Sequence, residues 1–107
     1  MPLAPNQRRY LRALGHHLNP IVQVGHQGVT DGVLGALDQA LTDHELVKVK
    51  VAPAVDDREA AAEALAAGTR SDCAQILGRT LLLYRPREEK PKITLPPARV
   101  GSSTESD

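Results

Sequence analysis

Residues 21–34, IVQVGHQGVTDGVL, can fold in few ways: a short apolar strand, the loop Gly25-His26-Gln27-Gly28, and the opening of an amphipathic helix. Glycines three apart allow a sharp turn and let the backbone approach a partner with no Cβ between them. Thr30 suits the N-cap, and Val29 and Leu34 stand where a hydrophobic staple would fix the angle at which the chain joins the helix. The free N–H groups and the positive dipole end of that helix then face whatever the loop faces, and phosphate is a common guest there. A plain tight turn accounts for the two glycines equally well. The motif alone does not separate the two readings.

The flanking chain supplies the rest of an α/β pattern. Pro5 fits the first turn of a helix in which Leu11, Leu14 and Leu18 form an apolar stripe, with Arg8, Arg9 and Arg12 mostly off it. Ala4 is a poor cap, so fraying is expected at that start; Gly15 weakens the end, and Asn19-Pro20 stops it. A helix is expected over 31–43, burying Val33, Leu34, Leu37 and Leu41. In LVKVKVA (46–52) the valines face one side and Lys48 and Lys50 the other, which describes a sheet covered on one face and open on the other. Simple solvation of that open face would also explain the lysines. Asp56-Asp57 caps an alanine-rich helix over 58–67, closed by Gly68, with Leu65 its one large apolar residue. CAQIL and TLLLYR are joined at Gly78-Arg79, a loop that suits a type II′ hairpin. The order is α-β-α-β-α-β-β.

From Pro86 the chain turns charged and proline-rich and ends in GSSTESD, a composition that cannot repay its ordering entropy. Ile93, Thr94 and Leu95 could still pack briefly against the domain. The expected organisation is one domain over residues 1–96 and a disordered tail over 97–107.

Thirteen basic and thirteen acidic side chains cancel, but they are not mixed evenly. Residues 1–28 carry three arginines and no acid, 29–66 three basic and eight acidic groups, and 67–100 seven basic and three acidic groups. The two middle helices hold the acids, which leaves a one-sided basic surface. Cys73 is alone, excluding a disulfide framework or a thiol metal cluster and fitting a reducing, cytoplasmic setting. No apolar run approaches transmembrane length. Tyr10 and Tyr84 are the only aromatic residues, too few for a stacking platform. His16 and His17 point in different directions and read as polar surface; neither they, His26, His44, Cys73 nor the acids show a nucleophile–base–acid or metal-ligand spacing. No catalytic residue, metal or cofactor is expected.

Three phrases, VGHQGVTDGVL, HELVKVKV and LGRTLLLYRP, occur in an order and spacing that resembles the CRM domain (chloroplast RNA splicing and ribosome maturation), most closely its bacterial stand-alone YhbY type. The resemblance covers about residues 4–96. It implies a two-layer α/β sandwich with a mixed four-stranded sheet in the order 1-2-4-3, similar to the C-terminal domain of bacterial translation initiation factor three. It also implies RNA binding; bacterial members associate with precursors of the large ribosomal subunit. The family's G-x-x-G loop falls on Gly25, His26, Gln27 and Gly28, its basic strand on Lys48 and Lys50, and its closing hairpin on residues 78–85. His26 stands where relatives are often basic or small, Ala4 replaces a frequent Ser or Thr cap, and the third helix is reduced to alanines.

The resulting expectation is a monomeric, non-enzymatic RNA-binding protein with no membrane association, acting on large-subunit ribosomal RNA or its precursor particle. The loop and the start of its helix would approach phosphates, with Arg8, Arg9, Arg12, Lys48, Lys50, Arg79 and Arg85 supplying charge. Asp31 uses part of the positive helix end and works against this slightly. The alternative is a module that binds a ribosomal or RNA-processing protein through the open sheet face.

Overall fold

The computed structural model describes residues 3–98. Its elements are α1 (Pro5–Gly15), β1 (Pro20–Val24), α2 (Asp31–His44), β2 (Leu46–Val51), α3 (Arg58–Thr69), β3 (Asp72–Leu77) and β4 (Thr80–Tyr84). The strands form one mixed sheet in the order β1-β2-β4-β3. β1 and β2 run parallel through the α2 crossover, and β4 is antiparallel to both of its neighbours. Element order, sheet type and strand order agree with the sequence reading.

Side-chain alternation sorts the core. Val22, Val24, Val47, Val49, Val51, Leu81 and Leu83 pack against Leu37 and Leu41 of α2 and Leu65 of α3. Alanines bring α3 close, and Gly68 brings it closer still: a Cβ there would lie 2.6 Å from a Leu34 methyl. This corrects the reading of Gly68 as a helix terminator. The helix needs it as a contact, so α3 runs on to Thr69 and Arg70, at φ 57°, takes the left-handed capping position. At the other end Asp57 accepts the Ala60 N–H at 2.9 Å, as an N-cap should.

The second face is not open along its whole length. Leu46, Ala74, Leu82 and Tyr84 point away from α2 and α3 and form a smaller core with Leu3 and Leu11. α1 therefore lies across part of this face. A Cβ at Gly15 would meet two Leu82 methyls at 2.8 Å, so Gly15 is what lets the helix settle on the sheet. Leu11 and Gly15 make the contact, one turn apart, while Leu14 and Leu18 of the expected stripe stay 38% and 37% exposed. The weak cap at Ala4 is repaired from inside the helix. Its N–H donates to Gln7 Oε1 at 3.0 Å, and Gln7 Nε2 donates onward to the Pro96 carbonyl at 3.0 Å.

The chain after Tyr84 has no helix or strand among the described residues, yet it is anchored. Ile93 and Leu95 pack on the smaller core, and Asn6 donates to the Pro97 carbonyl at 2.8 Å. Glu45 is the main anchor. It ends α2 at φ 66°, is fully buried, and its carboxylate accepts the backbone N–H groups of Arg87 (2.8 Å), Lys92 (2.7 Å) and Ile93 (2.8 Å). Composition alone had suggested disorder from Pro86; the ordering is offset instead by one carboxylate that satisfies three amides. Of the expected disordered tail, residues 99–107 lie outside the described residues.

Burial pushes the Glu45 carboxyl up, but the amides of Arg87, Ile93 and Lys92 and the Arg87 charge outweigh it and hold it below its ordinary value. A carboxyl whose folded pKa is depressed contributes stability above its unfolded pKa and loses it as pH falls through the folded one. Glu45→Gln should therefore cost on the order of 2 kcal/mol at neutral pH. The gap between wild type and variant should narrow below about pH 4. Thermal denaturation of both proteins down an acid series checks this; a gap that stays constant into strong acid would mean the charge does not hold the segment.

Candidate nucleic-acid interface

The loop is a closed turn. The Gly28 N–H donates to the Gly25 carbonyl at 2.9 Å, and Gly28 adopts φ 80°, a conformation that side chains with a Cβ rarely take. Gly25, His26 and Gln27 are exposed, and a Cβ built at Gly25 or Gly28 would meet nothing within 4 Å. The loop thus opens on solvent, and the glycines are not there to make room for another part of this chain. Thr30 Oγ1 accepts the Val33 N–H at 3.2 Å, the expected cap. The amides of Asp31 and Gly32 have no intrahelical partner by position, although Asp31 already places an acid in that first turn.

Strand register ties the basic residues to the loop. Lys50 pairs with Gln23 on β1 and with Thr80 on β4, one residue before Val24 leads into the loop. It is exposed on the α1 side of the sheet. Lys48 sits two residues back on the same face, half-buried, its Nζ donating to the Leu18 carbonyl at 3.0 Å where α1 exits. Between α1 and this face runs a groove of about 440 Å³, with Arg9, Arg12 and His16 on the helix wall and Lys48 on the sheet side. Gln75, Leu77 and Thr80 line it as well, and Leu82 lies at its floor. The His16 and His17 rings meet edge to face, 5.2 Å apart.

Not every expected cation joins this surface. Arg8 turns with Arg12 toward the β3 edge, where a second groove of about 590 Å³ is bounded on its far side by Glu59 and Glu63 of α3. Arg79 Nη1 donates to the carbonyls of Ala52 (3.1 Å) and Val55 (2.8 Å) and clamps the β2–α3 connection. Arg85 lies on the opposite side of the protein, paired with Asp38 at 2.7 Å and bonded to Thr69 O and Thr42 Oγ1. Arg79 is committed to backbone carbonyls and Arg85 to carbonyls and an ion pair, so the structure gives both a role in holding the fold rather than in the basic groove. The hairpin itself turns as expected, with positive φ at Gly78 and not at Arg79. Burial pushes the Cys73 thiol above its ordinary value, although the amides of Gln75 and Leu82 and the Arg8 charge oppose it.

His16, Gln75, Leu77 and Thr80 were not anticipated as site residues. Leu77 carried the one legible signal, a large apolar residue at a strand end; what it faces depends on where α1 lies, which local sequence does not encode. Replacing Arg85 by Ala should cost about 1–3 kcal/mol, since it leaves Asp38, Thr42 and the partly buried Thr69 carbonyl without their charged partner. Gly28→Ala should cost about 1 kcal/mol through its positive φ alone. Arg9→Ala should cost under about 0.5 kcal/mol, being an exposed side chain. Urea denaturation of the Arg85 and Arg9 variants tests this division between structural and free cations, and that of the Gly28 variant tests the conformational demand of the loop.

Comparison with known proteins agrees with the geometry. The sequence model of the CRS1/YhbY (CRM) domain matches residues 3–85. A protein of Pseudomonas aeruginosa named "Probable RNA-binding protein" is 45% identical over 96 residues, spanning 89% of this chain and 91% of the relative. An "RNA-binding protein" of Haemophilus influenzae is 46% identical over 97 residues, spanning 88% of this chain and 95% of the relative. The solution structure of a Staphylococcus aureus protein, solved as a candidate RNA binder, superposes with a TM-score of 0.77 at 37% identity, covering 88% of this chain and 99% of that one. A family match over most of the chain, relatives of nearly equal length and a shared three-helix, four-strand fold establish that this chain belongs to the CRS1/YhbY (CRM) domain family.

Proposed function

We propose that this protein binds RNA through the Gly25–Gly28 loop and the basic face beside it, without catalysis and as a cytoplasmic monomer. We further infer that the RNA is that of the large ribosomal subunit or its precursor particle. The observation that carries the first part is a juxtaposition. β1 runs from Gln23, paired with Lys50, through Val24 into an open glycine turn at the N-terminus of α2. Lys50 shares its face of the sheet with Lys48 and a groove bearing Arg9 and Arg12. Backbone amides suit phosphate oxygens at close range, and mobile cations alongside supply the longer-range, salt-sensitive attraction. The names of the relatives support RNA as the ligand. The choice of the large subunit rests on the resemblance to bacterial stand-alone CRM proteins.

A protein-binding role for the same face has one observation in its favour: Ile21 and Leu77 are 56% and 66% exposed there. Salt separates the two readings, because phosphate contacts release counterions and apolar contacts do not. Lys48→Ala combined with Lys50→Ala should weaken binding to a large-subunit RNA fragment about tenfold or more, and should flatten the log–log salt slope by roughly 2. Filter binding at several salt concentrations measures both, and an unchanged slope would remove this face from the RNA surface.

The loop is tested separately by comparing Gly28→Asp with Gly28→Asn. Both side chains tolerate positive φ better than most and differ chiefly in charge. The Asp variant should bind about tenfold more weakly than the Asn variant, as expected for repulsion on the order of 1–4 kcal/mol from a phosphate near 4 Å. Equal affinities would reduce the loop to a turn. Sedimentation of a lysate should find the protein with large-subunit precursors; its absence from those particles would overturn the ribosomal assignment.

A further inference from the structure

We propose that the RNA is single-stranded where it crosses this surface, with one unpaired base seated in the groove between α1 and the sheet. The proposal rests on the RNA-binding reading above and adds to it the class of RNA and the residues that would meet a base.

Charge selects this groove among three concavities. At the β3 edge, Arg8 and Arg12 are balanced by Glu59 and Glu63 across the gap. The recess at the far end of the sheet, about 1100 Å³, sets Asp38, Asp72, Glu88 and Glu89 against Arg70, Arg85 and Arg87, the last two already bonded to the chain. The α1–sheet groove is lined by Arg9, Arg12 and Lys48 and by no acid. The first offers a polyanion no net attraction, the second sets more acids than cations against it, and the third draws it in. Glu59 and Glu63 also mark where a strand following the α1 arginines would have to turn away.

The interior of the groove is suited to something other than phosphate. Its floor is Leu82 and its rim Leu77, the most exposed large apolar residue among those described. Beside them lie the Gln75 amide and the Thr80 hydroxyl, neither with a side-chain hydrogen bond among the described residues. An apolar surface with one amide and one hydroxyl offers a contact for a flat ring and donors and acceptors for its edge. A base inside a duplex can use neither, since its faces are stacked and its pairing edge is occupied; an unpaired base can use both. At about 440 Å³ the groove lies within the size range of small-ligand sites, which runs from about 300 to 1,000 Å³. With aliphatic rather than aromatic contacts, it should tolerate any base.

The test is fluorescence anisotropy with the full chain, using a short mixed-sequence single-stranded RNA and the duplex made from it and its complement. Wild type should prefer the single strand by about tenfold. Leu77→Ser combined with Gln75→Ala should lose most of that preference while binding the duplex as before, and Arg9→Gln with Arg12→Gln should weaken both. The Leu77 and Gln75 changes are at an edge strand, and a melting temperature within a few degrees of wild type confirms that the variant is folded. Wild type that binds duplex as tightly as single strand overturns the proposal, as does a preference that survives in the Leu77/Gln75 variant; in both cases RNA binding itself stands. If wild type binds neither probe, the proposal and the RNA reading fall together.

Discussion

The run Leu81-Leu82-Leu83 in β4 sets the terms for everything around it. β4 is hydrogen-bonded on both sides, and successive side chains leave a strand on opposite faces. Leu81 and Leu83 are buried under α2 and α3, so Leu82 has to be buried on the other side or left as a large apolar residue in water. α1 meets that need, and Gly15 is small enough to let it do so. A chain of this size has no second helix to spare for the same face. α1 leaves part of that face uncovered: Lys50 is exposed there, and the groove runs along the boundary between the helix and the sheet.

The far half of the same face is closed by a different device. The segment after Tyr84 has too few apolar residues to fold by burial, and Ile93 and Leu95 alone would contribute only a few kcal/mol before ordering costs are counted. Glu45 changes that balance. Its backbone conformation is costly for a residue with a side chain, but its own N–H is bonded to Leu41 O and its carbonyl accepts the Arg85 N–H. The buried carboxylate is then matched by three amides, which a neutral side chain could not satisfy equally. Arg87, bonded to the carbonyls of Thr42 and Asp43 at the end of α2, ties the same segment a second time.

These requirements also explain how a neutral chain keeps a basic face. Most of the described acids sit on or beside α2 and α3, Asp72, Glu88 and Glu89 lie at the far end of the sheet, and Glu45 is inside the fold. Several cations are committed as well: Arg79, Arg85 and Arg87 bond carbonyls or Asp38, and Lys48 shares its ammonium with Leu18. Arg9 and Arg12 on α1 and Lys50 on β2 are cations on the α1 side with no side-chain hydrogen bond among the described residues. A count of charges along the sequence overstates the available surface, because it cannot tell a cation offered to solvent from one holding a loop.

Local pattern determined a good deal by itself. The valine–lysine alternation defined β2 and its two faces, Thr30 and Asp57 defined helix starts, and Gly78-Arg79 defined the hairpin, since each of these depends on residues within a few positions of one another. Gly25 and Gly28 could likewise be read as a turn. What needed the tertiary structure was every property set by residues far apart in the chain. Gly15 and Gly68 weaken helices when read locally, and only their positions against Leu82 and Leu34 reveal them as points of close approach. The valine–lysine alternation described a second face open to solvent, and nothing local showed that Leu82 would bring α1 across part of it. Nothing local marked Glu45 as buried, and Arg79 and Arg85 looked like free cations, because hydrogen bonds spanning 16 to 48 residues leave no periodicity to find.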